Sequence, residues 1–340
     1  MIKQIDIEEF LLLSEKLAII DVRSPKEYEQ GHIPNAVNIP LFDNNERTKV
    51  GIIYKNSGRE KAILAGLEIT GKKMVSFIQD LKKHTNEKDI LVHCWRGGMR
   101  SSSLAWLFNI ADYNPFVLNN GYKAYRRFIR NEFNKKAKLI VLGGNTGSGK
   151  TEILNKIFDL GHQVIDLEKT ANHKGSVFGG LGKGEQPTNE QFENNLYSLW
   201  GKLDFKKPVW IEDESQSIGK VWMPEPLYLQ IRNSFVIKLE LEKKYRIKRL
   251  VSDYADCEKS LLKEMILKIE NKLGGLNTKI CIEAIDNDDF STVADIALLY
   301  YDKTYDFGLS KRNSESILPL KLSGNDINLN VKKVISLAKK

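Results

Sequence analysis

The sequence lacks the features of a disulfide-linked or membrane-spanning protein. It contains three cysteines, Cys94, Cys257 and Cys281, which are odd in number and far apart. This usage argues against a disulfide framework and against a CxxC metal site, so we expect no metal centre of that kind and at least one free thiol. No run of roughly eighteen apolar residues could cross a bilayer. The first residues lack the basic stretch and cleavage site of a signal peptide. We therefore expect a cytoplasmic protein that does not engage a membrane.

The length and the charge of the chain indicate its general class. At 340 residues it exceeds what one hydrophobic core usually organises, so we expect two domains. A hydrophobic fraction of 41% with 28% charged residues is typical of a soluble globular protein. The formal net charge of +8 suggests a polyanionic partner such as RNA or DNA, although a basic balance alone often serves only solubility.

The first third of the chain alternates short β-rich runs with helical stretches, which is typical of a parallel α/β sheet. We predict strands at 17–23, 89–95 and 114–122, a turn at 30–40, and helices around 60–82 and from Ser101 to about Asn109. The polar and basic segment 126–138 then precedes a new strand. We therefore place the domain boundary between residues 1–134 and 138–340.

The same α/β pattern begins again at Lys138. We predict strands at 138–144, 162–168, 207–214 and 234–241. A glycine-rich stretch at 173–189 is too long for an ordinary connection and is therefore expected to be a functional loop. Residues 322–340 end in an amphipathic basic helix, for which packing on the domain is favoured over contact with RNA.

A cysteine loop, CWRGGMR (94–100), directly follows one of the apolar strands. Backbone N–H groups in such a glycine-permitted loop form an anion-binding nest, and the start of the following helix adds partial positive charge. Arg96 and Arg100 would stabilise a thiolate further and could hold a phosphate-type oxyanion. We predict that Cys94, Arg96 and Arg100 are catalytic. The alternative is a buried cysteine at a strand end, but two glycines and two arginines are poor packing material.

Residues 4–130 resemble the rhodanese family. The resemblance is carried by IIDVRSPKEYEQGHIPNAVNIPL (19–41) and HCWRGGMRSS (93–102). It implies that Cys94 accepts sulfur or selenium as a persulfide or perselenide, and that Asp21 and Arg23 support the loop.

The spacing of the loop departs from common single-domain rhodaneses. Five residues separate Cys94 from Arg100, whereas those rhodaneses have four between the cysteine and the arginine. Five is the spacing of the related cysteine-dependent phosphatases. The longer loop could admit a tetrahedral phosphate-type donor, so phosphatase chemistry remains an alternative for this domain.

A P-loop motif, GNTGSGKT (144–151), lies between a predicted strand and a predicted helix, as G-x-x-x-x-G-K-[ST] requires. Its backbone amides would bind a di- or triphosphate, Lys150 would neutralise the outer oxygens, and the Thr151 hydroxyl would ligate Mg²⁺ if a metal takes part. The predicted binding residues are Gly144, Asn145, Thr146, Gly147, Ser148, Gly149, Lys150 and Thr151. Diphosphate binding is all that the motif itself indicates.

The strand VWIEDE ends in three acids, of which Asp213 points opposite to Glu212 and Glu214 because side chains alternate along a strand. We favour Asp213 as the acid of the phosphate site; a solvated turn is the alternative. A basic cluster after the strand at 234–241 could be a phosphate lid, a tRNA-facing patch or a solvated helix face. Its members are Lys243, Lys244, Arg246, Lys248 and Arg249.

The two domains together resemble the tRNA 2-selenouridine synthase family over essentially the full chain. Several segments that carry this resemblance have no equivalent in generic rhodaneses or P-loop kinases. They are CWRGGMRS (94–101), NSGRE followed by AGLEITG (56–71), GGNTGSGKT (143–151), VIDLEKTANHKGSVFGG (164–180), IEDESQSIG (211–219) and PEPLYLQIR (224–232). The resemblance supports an α/β fold, with a rhodanese-like parallel-sheet domain followed by a P-loop NTPase-like domain.

The family resemblance implies a two-step reaction on tRNA. The wobble 2-thiouridine is S-alkylated by geranyl diphosphate, and selenophosphate then replaces the S-geranyl group with selenium. The P-loop would hold the diphosphate, Cys94 would carry selenium to C2, and a selenophosphate-supplying enzyme would be a partner. The positive charge then suits tRNA binding. His173, in the loop 173–192, is a candidate acid or base, or is simply exposed.

Two other functions remain open from the residues. One is a cysteine-dependent phosphatase or thiosulfate sulfurtransferase fused to an ATP-dependent kinase. The other is an RNA-binding scaffold with degenerate domains. The intact Cys94, Lys150 and Thr151 argue against the scaffold.

Overall fold

A computed structural model describes residues 2–180, 184–254 and 257–338 of the chain. The chain divides into two compact units, Met1–Glu132 and Phe133–Lys340. Each unit contains a parallel sheet with helices, which confirms the predicted α/β class. Within the described ranges, no helix is both long enough and apolar enough to span a membrane.

The N-terminal unit is built on a five-stranded sheet in the part of the chain that is described. Its strands are β1 (Lys3–Ile5), β2 (Ala18–Asp21), β3 (Val37–Asn38), β4 (Asp89–His93) and β5 (Asn114–Leu118). They run parallel in the order β1-β5-β4-β2-β3, so β4 is central. Its helices are α1 (Ile7–Leu13), α2 (Pro25–Gln30), α3 (Asn44–Gly71), α4 (Met74–His84), α5 (Met99–Ile110) and α6 (Gly121–Glu132). The predicted strands at 17–23, 89–95 and 114–122 are confirmed as β2, β4 and β5.

The predicted single helix around 60–82 is wrong in its start and in its continuity. Helix α3 already begins at Asn44, because Asp43 and Glu46 form a reciprocal capping box at its first turn. Gly58 interrupts α3 with a φ of 86° and a ψ of 177°, a conformation that suits glycine. The helical region then breaks again between Gly71 and Met74. Caps and a left-handed glycine therefore set these boundaries, rather than apolar periodicity.

The C-terminal unit has a second five-stranded sheet among its described residues. The strands of the unit are β6 (Lys138–Gly144), β7 (Gln163–Ile165), β8 (Pro208–Glu212), β9 (Ser217–Ile218), β10 (Val221–Trp222), β11 (Val236–Glu240) and β12 (Ile317–Lys321). The parallel order β12-β11-β6-β8-β7 places β6, the strand before the P-loop, at the centre, while β9 and β10 form an antiparallel hairpin. The four predicted strands are β6, β7, β8 and β11; the hairpin and β12 were not predicted.

The helices of the C-terminal unit surround this sheet and extend beyond it. They are α7 (Lys150–Asp159), α8 (Leu167–Ala171), α9 (Asn189–Trp200), α10 (Glu225–Arg232), α11 (Lys243–Tyr254), α12 (Lys259–Lys268), α13 (Glu270–Leu273), α14 (Gly275–Asp286), α15 (Phe290–Ser310) and α16 (Ile327–Leu337), with 3₁₀ turns at Val177–Gly180 and Ser314–Ser316. Helices α12 to α15 pack around a separate apolar cluster that includes Ile266, Cys281 and Ile285.

The C-terminal helix packs on the unit, as the amphipathic pattern predicts. Val331 and Val334 of α16 are buried in one cluster with Leu154 and Ile157 of α7. This contact confirms the packing interpretation of the segment 322–340. The final lysines of that segment, at 339 and 340, lie outside the described residues.

Candidate functional site

Cys94 lies immediately after β4, the central strand of the N-terminal sheet. Its side chain is 3% exposed, and its Sγ lies 3.2 Å from Oγ of Ser101. The Ser101 hydroxyl in turn lies 3.0 Å from the carbonyl oxygen of Gly98, its acceptor in the loop. The thiol is therefore held at the start of α5, at the carboxyl edge of the parallel sheet, where such folds place their ligands.

The start of α6 holds the cysteine loop in place. The N–H of Tyr122 donates to the carbonyl oxygen of Cys94 at 2.8 Å, and the N–H of Lys123 donates to that of Trp95 at 3.0 Å. Gly121 has a φ of +55°, and a Cβ at this position would lie 2.2 Å from the Cys94 carbonyl oxygen. Only glycine permits this approach, so Gly121 is part of the loop architecture although it is distant in sequence.

Arg100, predicted to hold an oxyanion, is paired with a carboxylate instead. Its Nη1 and Nη2 donate to the two oxygens of Glu27 at 2.6 and 3.2 Å. Burial raises the pKa of Glu27, but the hydrogen bonds and charge of Arg100 outweigh it and hold that pKa below its usual value. An anionic substrate would have to compete with Glu27 for this guanidinium, whereas Arg96 is exposed on the same loop.

Asp21 and Arg23 form a buried ion pair behind the loop. The Arg23 Nη2 donates to Asp21 Oδ2 at 2.6 Å and to the carbonyl oxygen of Gly31 at 2.7 Å. The guanidinium also lies 3.8 Å from the ring centre of Tyr122, the residue that donates to Cys94. This geometry suits the supporting role that the rhodanese resemblance implies, rather than a part in the chemistry.

The P-loop residues follow β6, the central strand of the other sheet. Gly149 ends the loop with a φ of 85°, and α7 begins at Lys150. The Lys150 Nζ donates to the Gly144 carbonyl oxygen at 2.8 Å across the loop. Ser148 is 2% exposed, and within the described residues its Oγ has no hydrogen-bond partner. A buried hydroxyl without a partner in such a loop is expected to bond to a bound phosphate oxygen.

The remaining predicted loop residues lie on the same cavity or shape it. The cavity has a volume of about 730 Å³, and its lining includes Gly144, Thr146, Gly147, Ser148, Gly149, Lys150, Thr151 and Asp213. Asn145 stabilises the turn, because its carbonyl oxygen accepts from the N–H of Ser148 at 3.0 Å. The structure thus brings the predicted diphosphate-binding residues together around one cavity.

Two arginines of α11 contact the P-loop from the basic cluster predicted after β11. Arg246 Nε donates to the Thr146 carbonyl oxygen at 2.9 Å, and Arg249 Nη1 donates to that of Gly147 at 3.1 Å. Arg246 is 5% exposed and also pairs with Asp302. The two arginines therefore support the P-loop backbone, and Arg249 also lines the cavity, so the phosphate-lid interpretation stays a prediction. The lysines of the cluster have other surroundings: Lys243 pairs with Asp295, Lys244 pairs with Glu242, and Lys248 is exposed.

The acids at the end of β8 divide between two environments. Glu212 is fully buried and lies 3.5 Å from the Thr151 hydroxyl, and it accepts from the N–H groups of Leu167 and Glu168 at 3.1 Å each. Asp213 instead accepts from Arg312 at 2.5 Å and from the Tyr305 hydroxyl at 3.3 Å. Asp213 stays a predicted binding residue because it lines the cavity, but the contact with Thr151 is made by its neighbour.

Burial raises the pKa values of several carboxyl groups in the P-loop unit. Burial, followed by repulsion from Glu168, raises the pKa of Glu214 to about 8. The same two causes raise the pKa of Glu212 well above its ordinary value, and burial raises that of Glu168. Among the described residues, no group of three or more histidine, cysteine, aspartate or glutamate side chains is arranged as a metal site. Mg²⁺ binding through Thr151 therefore stays a prediction.

His173 lies at the edge of the P-loop cavity. Its Nδ1 is buried and has no hydrogen-bond partner within the described part of the chain, and burial lowers its pKa. An imidazole with a lowered pKa beside the phosphate cavity is compatible with the predicted acid or base role. Residues 181–183 of the predicted loop 173–192 lie outside the described residues.

An apolar pocket adjoins the P-loop cavity. It measures about 40 Å³, and Phe178, Leu262 and Val293 are among its lining residues. Thr146 and Tyr301 line both the pocket and the P-loop cavity. A ligand with a diphosphate head and an apolar tail could therefore contact both surfaces.

Sequence reasoning did not identify several residues that shape the two sites. Glu27 belongs to the motif SPKE, which indicates the capping box observed at α2 but does not reveal its partner Arg100. The alternation of side chains along β8 predicts that Glu212 and Asp213 point in opposite directions. It does not predict which of them contacts Thr151, because that depends on how β8 pairs with its neighbouring strand. Tyr305 accepts from the N–H of Gly144 at 2.5 Å, and no local pattern signals that contact.

Comparison with protein families and curated proteins identifies what the chain is similar to. Residues 137–324 match the tRNA 2-selenouridine synthase AAA domain, and residues 6–128 match the rhodanese-like domain. A tRNA 2-selenouridine synthase of Shewanella frigidimarina is 33% identical, with 90% of this chain and 92% of the relative covered. One of Bdellovibrio bacteriovorus is 33% identical over 79% of each chain. One of Nitrosomonas europaea is 36% identical, but only 69% of this chain and 63% of the relative are covered.

A solved structure also matches the chain over a limited region. It is the N-terminal domain of a putative ATP/GTP binding protein from Clostridium difficile, 42% identical in sequence. The match covers 37% of this chain and 98% of that one, with a TM-score of 0.35.

Proposed function

Since the chain belongs to the tRNA 2-selenouridine synthase family, we propose that it converts wobble 2-thiouridine in tRNA into 2-selenouridine through an S-geranyl intermediate. Geranyl diphosphate and selenophosphate are the proposed co-substrates. The P-loop unit carries out the alkylation, and the rhodanese-like unit carries out the exchange for selenium. A selenophosphate-supplying enzyme is the proposed partner in the cytoplasm.

The observation that carries this proposal is the apolar pocket beside the P-loop. A nucleoside triphosphate would offer a polar sugar and a base next to its phosphates, whereas geranyl diphosphate offers a hydrocarbon chain. Phe178 and Val293 line the pocket, and Lys150 and Thr151 line the adjoining cavity. At about 40 Å³ the pocket accepts the end of a ten-carbon chain, and the rest of the chain lies in the P-loop cavity.

The alkylation step balances without a redox partner. The sulfur at C2 of 2-thiouridine attacks C1 of the geranyl group, a C–S bond forms, and the C–O bond to the diphosphate breaks. The diphosphate leaves with the bonding electrons, and N3 of the base loses its proton. Lys150, the loop amides and Arg249, which lines the cavity, stabilise the charge that builds on the departing diphosphate.

The selenium step also balances if Cys94 reacts at phosphorus. The Cys94 thiolate attacks the phosphorus of selenophosphate, an S–P bond forms, and the P–Se bond breaks to release hydrogen selenide. Selenide then attacks C2, and geranylthiol leaves with a proton; water later cleaves the S–P bond. Selenium keeps its oxidation state throughout. The perselenide that the rhodanese resemblance implies would need a two-electron oxidant, so we favour attack at phosphorus.

The proposed function is tested by supplying its substrates. The protein is incubated with 2-thiouridine tRNA, geranyl diphosphate and selenophosphate, and the tRNA is digested to nucleosides for mass spectrometry. We expect S-geranyl-2-thiouridine and then 2-selenouridine. Absence of both products, together with turnover of a phosphatase substrate or of ATP, would favour the phosphatase–kinase alternative.

Two substitutions separate the steps. We expect Cys94→Ala to abolish 2-selenouridine while S-geranyl-tRNA accumulates, and Lys150→Ala to reduce geranylation by about 100-fold through loss of charge stabilisation. The nucleoside assay measures both products. Formation of 2-selenouridine by Cys94→Ala would show that Cys94 is not required. Mass spectrometry of the trapped Cys94 adduct distinguishes phosphorus from selenium by the selenium isotope pattern.

A further inference from the structure

A large cleft opens beside the cysteine loop in the N-terminal unit. Its volume is about 1030 Å³, and Cys94, Trp95 and Arg96 form part of one wall. The opposite wall is helix α3, through residues that include Val50, Tyr54, Ile63 and Leu67. A volume near 1000 Å³ is at the upper end of the range for pockets that bury a drug-sized ligand. Neither selenophosphate nor a selenide ion needs such a space.

The cleft is lined by large apolar side chains that are exposed to water. Tyr54 is 60% exposed, Leu67 is 61% exposed, and Met99 of the cysteine loop is 52% exposed. All three belong to the lining of the cleft, together with the more buried Leu41 and Phe42. An apolar surface of this kind next to a reactive group indicates an apolar ligand.

The shape of α3 depends on the sequence segments that distinguish this chain from generic rhodaneses. The segment NSGRE contains Gly58, whose φ of 86° kinks the helix. The segment AGLEITG contains Gly66, at which a Cβ would lie 3.3 Å from the Phe42 ring. Ala62 and Gly66 are buried and small, so this part of α3 places little side-chain volume in the cleft. The segments 56–71 therefore form an apolar wall facing the cysteine.

The rim of the cleft is basic. Lys26, Arg47, Arg59 and Arg96 all contribute to its lining. Arginine and lysine side chains at such a position complement the phosphates of a nucleic acid. The cleft thus combines three features in one place: a nucleophilic cysteine, an apolar wall and a basic rim.

We propose that this cleft binds the ten-carbon prenyl chain of the S-geranyl-2-thiouridine intermediate and thereby presents C2 of the base to the Cys94 loop. The inference rests on the proposed function, since it requires a geranylated tRNA. It assigns the prenyl chain a second binding site, distinct from the pocket beside the P-loop, which holds the same chain on its diphosphate donor. The exchange step then recognises its leaving group, which restricts selenium transfer to tRNA that has already been alkylated.

The test supplies S-geranyl-2-thiouridine tRNA directly, so that geranylation is bypassed. The cleft variant is Tyr54→Gln with Leu67→Gln. The matched control is Ile52→Gln with Leu64→Gln, which lie on the same helix, are 55% and 61% exposed, and do not line the cleft. Selenation is measured with selenophosphate, and geranylation of 2-thiouridine tRNA by the same proteins is measured separately.

We expect the cleft variant to raise KM for S-geranyl-tRNA by about tenfold or more, since each lost apolar contact weakens binding of the chain. The control should match the wild type, and geranylation should be unchanged in both. With S-methyl-2-thiouridine tRNA, which has no chain to bind, the wild type and the cleft variant should not differ.

Equal KM values for the cleft variant and the control would overturn the proposal, and so would a loss of geranylation in the cleft variant, which would show that the effect is not local. Failure of the wild type to selenate S-geranyl-tRNA at all would instead reject the proposed function on which the inference rests.

Discussion

His93 precedes Cys94 and is a buried, neutral residue behind the cysteine loop. Its side chain is 0% exposed, its Nε2 lies 3.7 Å from Asp21 Oδ2, and its ring packs against Phe10 and Tyr122. Burial lowers the pKa of His93 to about 4, with the negative charge of Asp21 opposing that effect only in part. The imidazole therefore contributes packing rather than charge at neutral pH.

We predict that His93 makes the N-terminal unit sensitive to acid. An unfolded histidine titrates near pH 6.5, so between pH 6.5 and about 4 the unfolded chain binds a proton that the folded chain excludes. Stability should therefore fall as the pH falls through this window, on the order of 3 kcal/mol in total from this residue. Hydrogen exchange of the β4 amides, corrected for intrinsic exchange rates, measures this loss of stability. His93→Phe should remove this contribution, and an unchanged pH profile in the variant would contradict the assignment.

Gly121 is the second single residue on which the cysteine loop depends. We predict that Gly121→Ala destabilises the N-terminal unit by about 1–3 kcal/mol and lowers the selenation rate, because the new Cβ would strike the Cys94 carbonyl oxygen. Geranylation should be unchanged. Gly71→Ala is the matched control, since a Cβ there meets no atom within 4 Å. Denaturant unfolding and the two nucleoside assays measure these effects; equal behaviour of the two variants would refute the role of Gly121.

At the scale of secondary-structure elements, the two sites share one construction. Each follows the central strand of a parallel sheet, and each is held by the start of a helix that is distant in sequence. In the N-terminal unit, α6 supports the cysteine loop through backbone hydrogen bonds. In the C-terminal unit, α11 contacts the P-loop through arginine side chains. Because side chains can be replaced, the second contact can be tested by substitution.

We predict that Arg246→Ala weakens geranylation and the stability of the C-terminal unit together. The substitution removes the hydrogen bond to the Thr146 carbonyl and leaves Asp302 without its partner, a change that costs about 3–5 kcal/mol for buried pairs. Since Asp302 is partly exposed, we expect the lower end of that range. Lys244→Ala on the same helix is the control, because its side chain is 63% exposed. Geranylation kinetics and thermal unfolding measure the difference, and an active, stable Arg246→Ala protein would contradict the proposed support of the loop.

At the scale of the whole molecule, the net charge of +8 is consistent with a tRNA substrate. Phosphate contacts by lysine and arginine release counterions, so affinity for tRNA depends on salt. Basic residues occur at the rim of the cleft in one unit and on α11 in the other. The rim of the cleft therefore offers positive charge to a polyanion, whereas most basic side chains of α11 pair with acids of their own unit.

We predict that the affinity for tRNA falls at least about tenfold between about 50 and 200 mM salt, as expected when several phosphates are neutralised. Filter binding or fluorescence anisotropy with 2-thiouridine tRNA measures this dependence. Arg59→Gln with Arg96→Gln should reduce the slope of affinity against salt, whereas Lys82→Gln, on the surface of α4 and outside the cleft, should not. A salt-independent affinity would argue against phosphate contacts as the main source of binding.

The sequence by itself determined the class of both units, the positions of their central strands and the two loops that follow them. These features are local: apolar runs set the strands, and glycine-rich turns followed by helix starts set the loops. The start of α3 at Asn44 and its kink at Gly58 were missed, because a capping box and a single left-handed glycine outweighed apolar periodicity.

Only the tertiary structure decided which side chains meet at the sites. Arg100 pairs with Glu27, which lies 73 positions away in the sequence. The Thr151 hydroxyl lies near Glu212 because β6 and β8 pair in one particular register. Helix α3 becomes a wall of the Cys94 cleft only once it packs beside the sheet. Such contacts join residues that are distant along the chain, so strand register and long-range packing determine them, and local sequence patterns do not.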